Sequence, residues 1–188
     1  MRGQEYEDIS MTTEPGARAR RSPGRAIRES WNRLSRLPGG RWLFGRMLAR
    51  MVPYTGTIRP RFLEIAPGIA RVAMRDRRAV RNHLQSVHAI ALANLAEVAS
   101  GVAMIAALPD DVRGIPIRLS IDFVKKARGE LVAECRCQVP RVYAPVEMDL
   151  HPEIRDAEGD VVARATVRWR LAPAAATAAT PVLTQRAE

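Results

Sequence analysis

Residues 82–108 read NHLQSVHAIALANLAEVASGVAMIAAL, and this stretch decides the fold. From Ser86 to Leu108 the pattern predicts one long helix, with Ser86 as its N-cap and Pro109 just past its end. Between His88 and Leu108, Glu97 is the only carboxylate, and there is no Lys or Arg. Alanine fills eight of these positions and Gly101 a ninth. A helix that is apolar nearly all round is buried on most sides, and one this narrow lets other elements come close. A membrane span is the competing reading, since about 20 apolar residues cross a bilayer. A mid-span Glu97 would cost roughly 2.5–3.5 kcal/mol, and the amphipathic strands that follow have no use beside a lone span.

Downstream the period changes from helical to two. Ile115, Ile117, Leu119, Ile121 and Phe123 are expected to share one face of a strand over 115–123. Leu131, Ala133, Cys135, Cys137 and Val139 do so over 131–139, and Val146, Met148, Leu150 and Ile154 over 146–154. Val161, Ala163, Ala165, Val167 and Trp169 complete the set over 161–169. Turn-like residues at Arg128-Gly129 and at 156–160 suggest antiparallel neighbours. Upstream, 60–75 reads as two short strands joined at Ala66-Pro67-Gly68. The class is α+β: a long central helix wrapped by a curved antiparallel sheet.

The ends differ from this centre. Residues 1–23 are polar and aperiodic, a disordered basic arm. Residues 172–188 are an Ala/Thr/Pro-rich flexible tail. Residues 24–52 form a helical extension broken near Leu37-Pro38-Gly39-Gly40, before a domain over 53–171. Trp31, Leu34 and Leu37, then Trp42, Leu43, Met47 and Leu48, fall at helical spacing in that extension, with Arg opposite. Such a face packs on its own domain or makes a peripheral membrane or partner contact.

The 188 residues carry 30 Lys+Arg against 20 Asp+Glu, a net charge of +10. Residues 1–50 hold 11 arginines and 5 acids, so most of the excess sits there. A basic arm attracts anionic partners, but the aromatic-plus-basic strands of a nucleic-acid platform are missing, so no nucleic acid is expected. Cys135 and Cys137 are the only cysteines. They build neither a disulfide framework nor a four-ligand zinc site. With no apolar leader at the N-terminus, a cytoplasmic location is expected. His83, His88 and His151 are too scattered to suggest a metal, and none is expected.

Glu97 is the informative residue. A carboxylate on a buried helix is paired with a partner or functional. Its helical neighbours Ala93, Asn94, Ser100 and Gly101 make a small polar stripe able to line a cleft. The alternative is a Glu bonded to backbone or to an arginine.

The segment from Asn82 to Glu97 resembles the active-site segment of hotdog-fold acyl-CoA thioesterases of the phenylacetyl-CoA thioesterase type. That family has an Asn, then His-Gly-Gly six residues on, then Leu-Ala-Asp. Asn82, His88, Leu95 and Ala96 match, Glu97 stands at the Asp position, and Ala89-Ile90 replaces the two glycines. Residues 122–131 look like the family's strand-turn-strand, and 42–171 as a whole is similar to an uncharacterised bacterial hotdog family of thioesterase-like proteins. The resemblance implies the hotdog fold and a homodimer or dimer of dimers with sheets joined side by side. It further implies active sites at the subunit interface. Glu97 would then be general base or nucleophile, and the Ala89 N–H would polarise the thioester carbonyl. Asn82 and His88 would be polar groups near the reacting centre. The substrate would be an acyl-CoA, with no cofactor beyond the coenzyme A that it carries.

Helix geometry adds one constraint. Ala89 and Glu97 are eight residues apart, about 12 Å along a helix. One thioester carbon does not easily meet both on one helix, which favours a site shared by two subunits. Lys125, Lys126 and Arg128 form a basic turn suited to the phosphates of coenzyme A, or merely a solvated one. Arg75, Arg77, Arg78 and Arg81 offer the same service or a subunit bridge. His88 and Asn82 are equally read as a helix-start histidine and a loop-capping asparagine. Two further readings stand beside hydrolysis: a non-catalytic hotdog module that binds acyl-CoA or acyl-carrier protein, and an interaction protein that works through its arginine-rich first 50 residues.

Overall fold

The computed structural model describes residues 22–174. Most of the expected arm and tail lie outside these residues. Ser22 accepts from the Arg25 N–H at the start of helix α1, Pro23–Leu34. Helices α2, Gly40–Met51, and α3, Pro53–Gly56, follow, then strands β1, Arg61–Ala66, and β2, Ile69–Arg75. The central helix α4 is Ala89–Ala107. After it come β3, Val112–Phe123; β4, Glu130–Arg136; β5, Val146–Leu150; β6, Glu153–Arg155; and β7, Val161–Pro173.

The strands form one antiparallel sheet in the order β1-β2-β4-β6-β7-β3, with β5 also paired to β7. The concave face holds α4. Leu95, Ala99, Ala103 and Met104 of the helix are fully buried, as are Val72, Leu131, Ile154 and Val167 of the sheet. At roughly 1.5–3 kcal/mol for each large side chain, this layer dominates the stability of the domain. α4 is long and apolar enough to cross a membrane, but its apolar surface is used inside the domain.

The helical extension packs on its own domain. Trp31 of α1, Phe44 of α2 and Phe62 of β1 stack edge to face, with centroids 5.3 and 5.2 Å apart. Such pairs contribute about 0.5–1.5 kcal/mol each beyond their burial. α1 lies so close to α4 that a Cβ at Gly24 would overlap the Ile105 carbonyl. Arg28 Nη1 donates to the Ala106 carbonyl at 2.5 Å.

Five expectations are corrected. The N-cap of α4 is His88, not Ser86, because residues 86–88 are held extended. Val87 bridges Arg81 and donates to the Ala127 carbonyl, and the His88 N–H donates to Val80. Residues 115–123 do not share a single face. The register of β3 against β7 shifts between Pro116 and Arg118, so Ile115 lies opposite Arg170 whereas Leu119 and Ile121 lie opposite Val167 and Ala165. The segment 146–154 is two strands, parted at His151-Pro152. β4 ends at Arg136 rather than running to Val139, and the Cys137 N–H bonds to the carbonyl of Gly68 in the β1–β2 turn.

The last correction positions the cleft. β3 and β4 are not neighbours, although Arg128-Gly129 lies between them. β3 is at one edge of the sheet and β4 beside β2, with β7 and β6 between them. At about 4.8 Å per strand the gap is about 14 Å, which the six residues 124–129 can cross. On the way Val124 and Lys125 donate to the Val162 carbonyl, and Gly129 accepts from Asp76. This crossing segment closes over the start of α4.

Candidate functional site

The start of α4, the loop before it and the crossing segment enclose a cleft of about 310 Å³. Its lining includes Asn82, Ser86, Ala89 and Leu92 on one side and Phe123, Val124, Lys125 and Lys126 on the other. Four of the residues singled out in the sequence, Asn82, Ala89, Lys125 and Lys126, thus share one cavity. Glu97, His88 and Arg128 are not on its wall.

Asn82 organises the loop. Its Oδ1 accepts from the Leu84 N–H at 2.9 Å, and from the Ser86 N–H and hydroxyl at 3.2 Å each. Gln85 takes a left-handed backbone at φ 56° to complete the turn. Three donors on Oδ1 fix which end of the amide is which. The amide nitrogen has no bond among the described residues, so it remains a donor on the cleft wall.

At the helix start, His88 Nδ1 accepts from the Ile90 N–H at 3.1 Å. Nδ1 is therefore an acceptor, and a neutral ring carries its proton on Nε2. The Ala91 and Leu92 N–H groups bond to the His88 carbonyl. The Ala89 N–H has no partner among the described residues. It is the free donor of the first turn, at the positive end of the helix. Ile90, which stands where the thioesterase motif that this segment resembles has its second glycine, is exposed and does not line the cleft.

Glu97 lies on the least covered stripe of α4, with Ala93 and Ile90. Its neighbours in the expected polar stripe are satisfied elsewhere. Asn94 donates to the Tyr54 carbonyl at 3.2 Å, and Ser100 donates to the Glu97 carbonyl at 2.9 Å. The Glu97 carboxylate itself has no hydrogen bond or ion pair among the described residues. Burial alone pushes its pKa up. Beside it, Trp169 of β7 is buried, and its indole N–H has no partner among the described residues. Sequence reading missed Trp169 as anything but core, because nothing in an alternating strand marks an unpaired N–H.

The basic groups divide into occupied and free. Lys125 Nζ donates to Asp156 at 2.8 Å and Asp160 at 2.6 Å, and these bonds raise its pKa. Arg81 is held by Asp76, with Nε at 2.6 Å, and Arg77 donates to the Thr57 carbonyl. Lys126, Arg128, Arg75 and Arg78 make no hydrogen bond or ion pair among the described residues. Asp76, missed in the sequence, has a side chain only 6% exposed and also accepts from the Gly129 N–H at 3.2 Å. It ties the end of β2 to the crossing segment. Cys135 is buried and its thiol is pushed up to about 12, so it supplies no thiolate nucleophile.

Residues 40–171 match the family described as a domain of unknown function, DUF4442. No curated protein matches the chain. Solved structures do. A structural-genomics protein designated APC5556 is 27% identical with a TM-score of 0.68, over 78% of this chain and 97% of its own. A Pseudomonas aeruginosa protein of unknown function, described as a probable thioesterase, is 23% identical with a TM-score of 0.63, over 73% and 97%. A variant of a Staphylococcus aureus thioesterase is 12% identical with a TM-score of 0.56, over 64% and 99%.

Proposed function

The chain belongs to the DUF4442 family and has the hotdog fold of thioesterase-like proteins, and from that footing we propose that it hydrolyses an acyl-CoA thioester to a free acid and coenzyme A. The observation that carries this reading is Glu97: a half-buried carboxylate with a raised pKa and no partner among the described residues. A structural glutamate would be paired. A general base is useful when its pKa approaches the working pH.

In the proposed reaction the Glu97 carboxylate takes a proton from water as the water oxygen attacks the thioester carbon. The carbonyl oxygen becomes an oxyanion, and the Ala89 N–H and the Asn82 amide donate to it. Collapse of the intermediate breaks the carbon–sulfur bond. The departing thiolate takes the proton from Glu97, and the acid is released. Lys126 and Arg128, the free cations of the crossing segment, meet the phosphates of coenzyme A. Lys125 is already neutralised by Asp156 and Asp160 and holds the segment in place.

The cleft of one chain holds Ala89 but not Glu97, so the reading requires a second copy. β3 is a sheet edge with Leu119 and Phe123 partly or largely exposed. Edge strands of this kind invite pairing. Joining β3 to its copy would bring the Ala89 N–H of one subunit towards Glu97 of the other.

A mixing experiment tests this. Glu97→Gln removes the base. Ala89→Pro removes the N–H at the first helical position, where proline is accepted, and His88 at ψ 141° already suits a following proline. Each variant alone should release little thiol from a panel of acyl-CoAs. Equal mixtures, refolded together, should recover about a quarter of wild-type turnover, since each mixed dimer regains one whole site. No recovery would rule out the shared site. Equal turnover by wild type and Glu97→Gln would remove Glu97 from the chemistry. The second reading, an acyl-CoA-binding module without turnover, would show saturable binding and no thiol release by wild type.

A further inference from the structure

We infer that α2 and its flanks form a docking surface for an anionic lipid bilayer. Phe44 and Leu48 point into the domain. On the opposite side Trp42, Arg46 and Arg50 follow at four-residue spacing with Leu43 beside them, and all four are exposed. Arg46 lies over the Trp42 ring at 5.0 Å. At the C-terminal end of α2, Met51 is 70% exposed, and Val52 and Tyr54 just beyond are also open.

The stretch of chain that carries this face has charge of one sign. Between Glu29 and Glu64 stand seven arginines and no acidic residue. On the sheet, several surface arginines are answered by acids: Arg168 by Asp149, Arg170 by Glu147, and Arg164 by Glu153. The arginines of α2 have no acid on their own element, and none of them makes an ion pair among the described residues.

Three occupants can be weighed by chemistry. A nucleic acid would use the arginines but would leave Leu43, Met51 and Val52 in water. A second copy, meeting the same patch across a two-fold axis, would set arginine against arginine. An anionic bilayer takes both halves: phosphates meet Arg46 and Arg50, while Trp42, Leu43 and Tyr54 enter the interfacial layer. The inference is independent of the thioesterase reading, because none of these residues lines the cleft.

The full chain is mixed with vesicles of phosphatidylcholine alone or with added phosphatidylglycerol, at low and at raised salt. Co-sedimentation is expected with the anionic vesicles only, weakening as salt rises. Trp31 and Trp169 are buried and Trp42 is exposed, so bound protein should show a blue-shifted emission that Trp42→Ser abolishes. Replacing Arg46 and Arg50 by Gln should weaken binding about 30-fold at low salt. Trp42→Ser with Leu43→Ser should leave a weak, wholly salt-sensitive association. Both are surface variants, and unchanged circular dichroism confirms their folding. Absence of binding at low salt would overturn the inference. So would equal binding by wild type and the arginine variant, or a smaller oligomer for the Trp42/Leu43 variant, which would make the face a contact between copies.

Discussion

Glu97 and Trp169 meet at the notch left by Gly101. A Cβ on Gly101 would stand 3.6 Å from Glu97 Oε1 and 3.9 Å from Trp169 Cζ2. Both are ordinary van der Waals distances, so the fold accepts a methyl group there. Alanine is also favoured over glycine in a helix by about 0.5–1 kcal/mol. Gly101→Ala should therefore raise the melting temperature. It should lower thiol release, because the methyl group occupies the space beside the carboxylate. Thermal melts and turnover measured on one preparation check both halves.

The raised pKa of Glu97 has a stability counterpart. Burial makes the folded state hold the proton more tightly than the unfolded one. The folded state is thus favoured below the ordinary glutamate pKa of about 4.3. That advantage is lost as pH rises through the raised folded value. Glu97→Gln should melt higher than wild type at pH 8, and the difference should close towards pH 4. Under the proposed mechanism turnover should have the opposite sense, rising as pH passes the raised pKa of Glu97. A variant less stable than wild type at pH 8 would mean that the carboxylate is paired in the folded protein.

Asp76 should behave as a structural anchor of the cleft. The Arg81 guanidinium, and less strongly the Gly129 N–H, hold its carboxyl below the usual range against the opposing effect of burial. Asp76→Asn should cost about 1.5–3 kcal/mol, the scale of a hydrogen bond to a charged group. Its contribution is present above the ordinary aspartate pKa of about 3.9 and disappears as pH falls through the lowered value. Urea unfolding of wild type and variant at pH 7 and pH 3 should therefore give curves that differ at the first and converge towards the second.

Leu119→Lys tests the β3 edge. Leu119 lies on the helix-facing side of the strand and is 38% exposed. A lysine there is accepted by a single chain but opposes pairing of two copies. Sedimentation should shift to the monomer. Turnover should fall about 100-fold or more, the scale of losing an oxyanion donor. An unchanged dimer with full activity would place the subunit contact elsewhere.

Composition and period made α4 legible, because an apolar helix with one carboxylate has few places to go. The alternation of β7 was equally plain, and it survives as a buried row from Ala163 to Leu171. The bulge near Ile117 was not legible. Strand alternation continues through it in the sequence, and only the partner strand reveals the extra residue. The crossing at 124–129 was hidden for a related reason: a six-residue connection looks like a hairpin unless the sheet order is known. In the candidate site, Ala89 and Asn82 of the cleft wall could be named from a motif, and so could Glu97, which lies off that wall in a single chain. The engagement of Lys125 with Asp156 and Asp160 could not, since it joins residues over 30 positions apart.

The position of β3 also orders events during synthesis. Among the described residues β3 pairs with β7 alone, and β7 is the last strand. A ribosome delivers Val161 well after Phe123, so β3 emerges early and waits with Ile117, Leu119 and Phe123 uncovered. The waiting strand is an apolar, unpaired segment of the nascent chain, of the kind that chaperones shield.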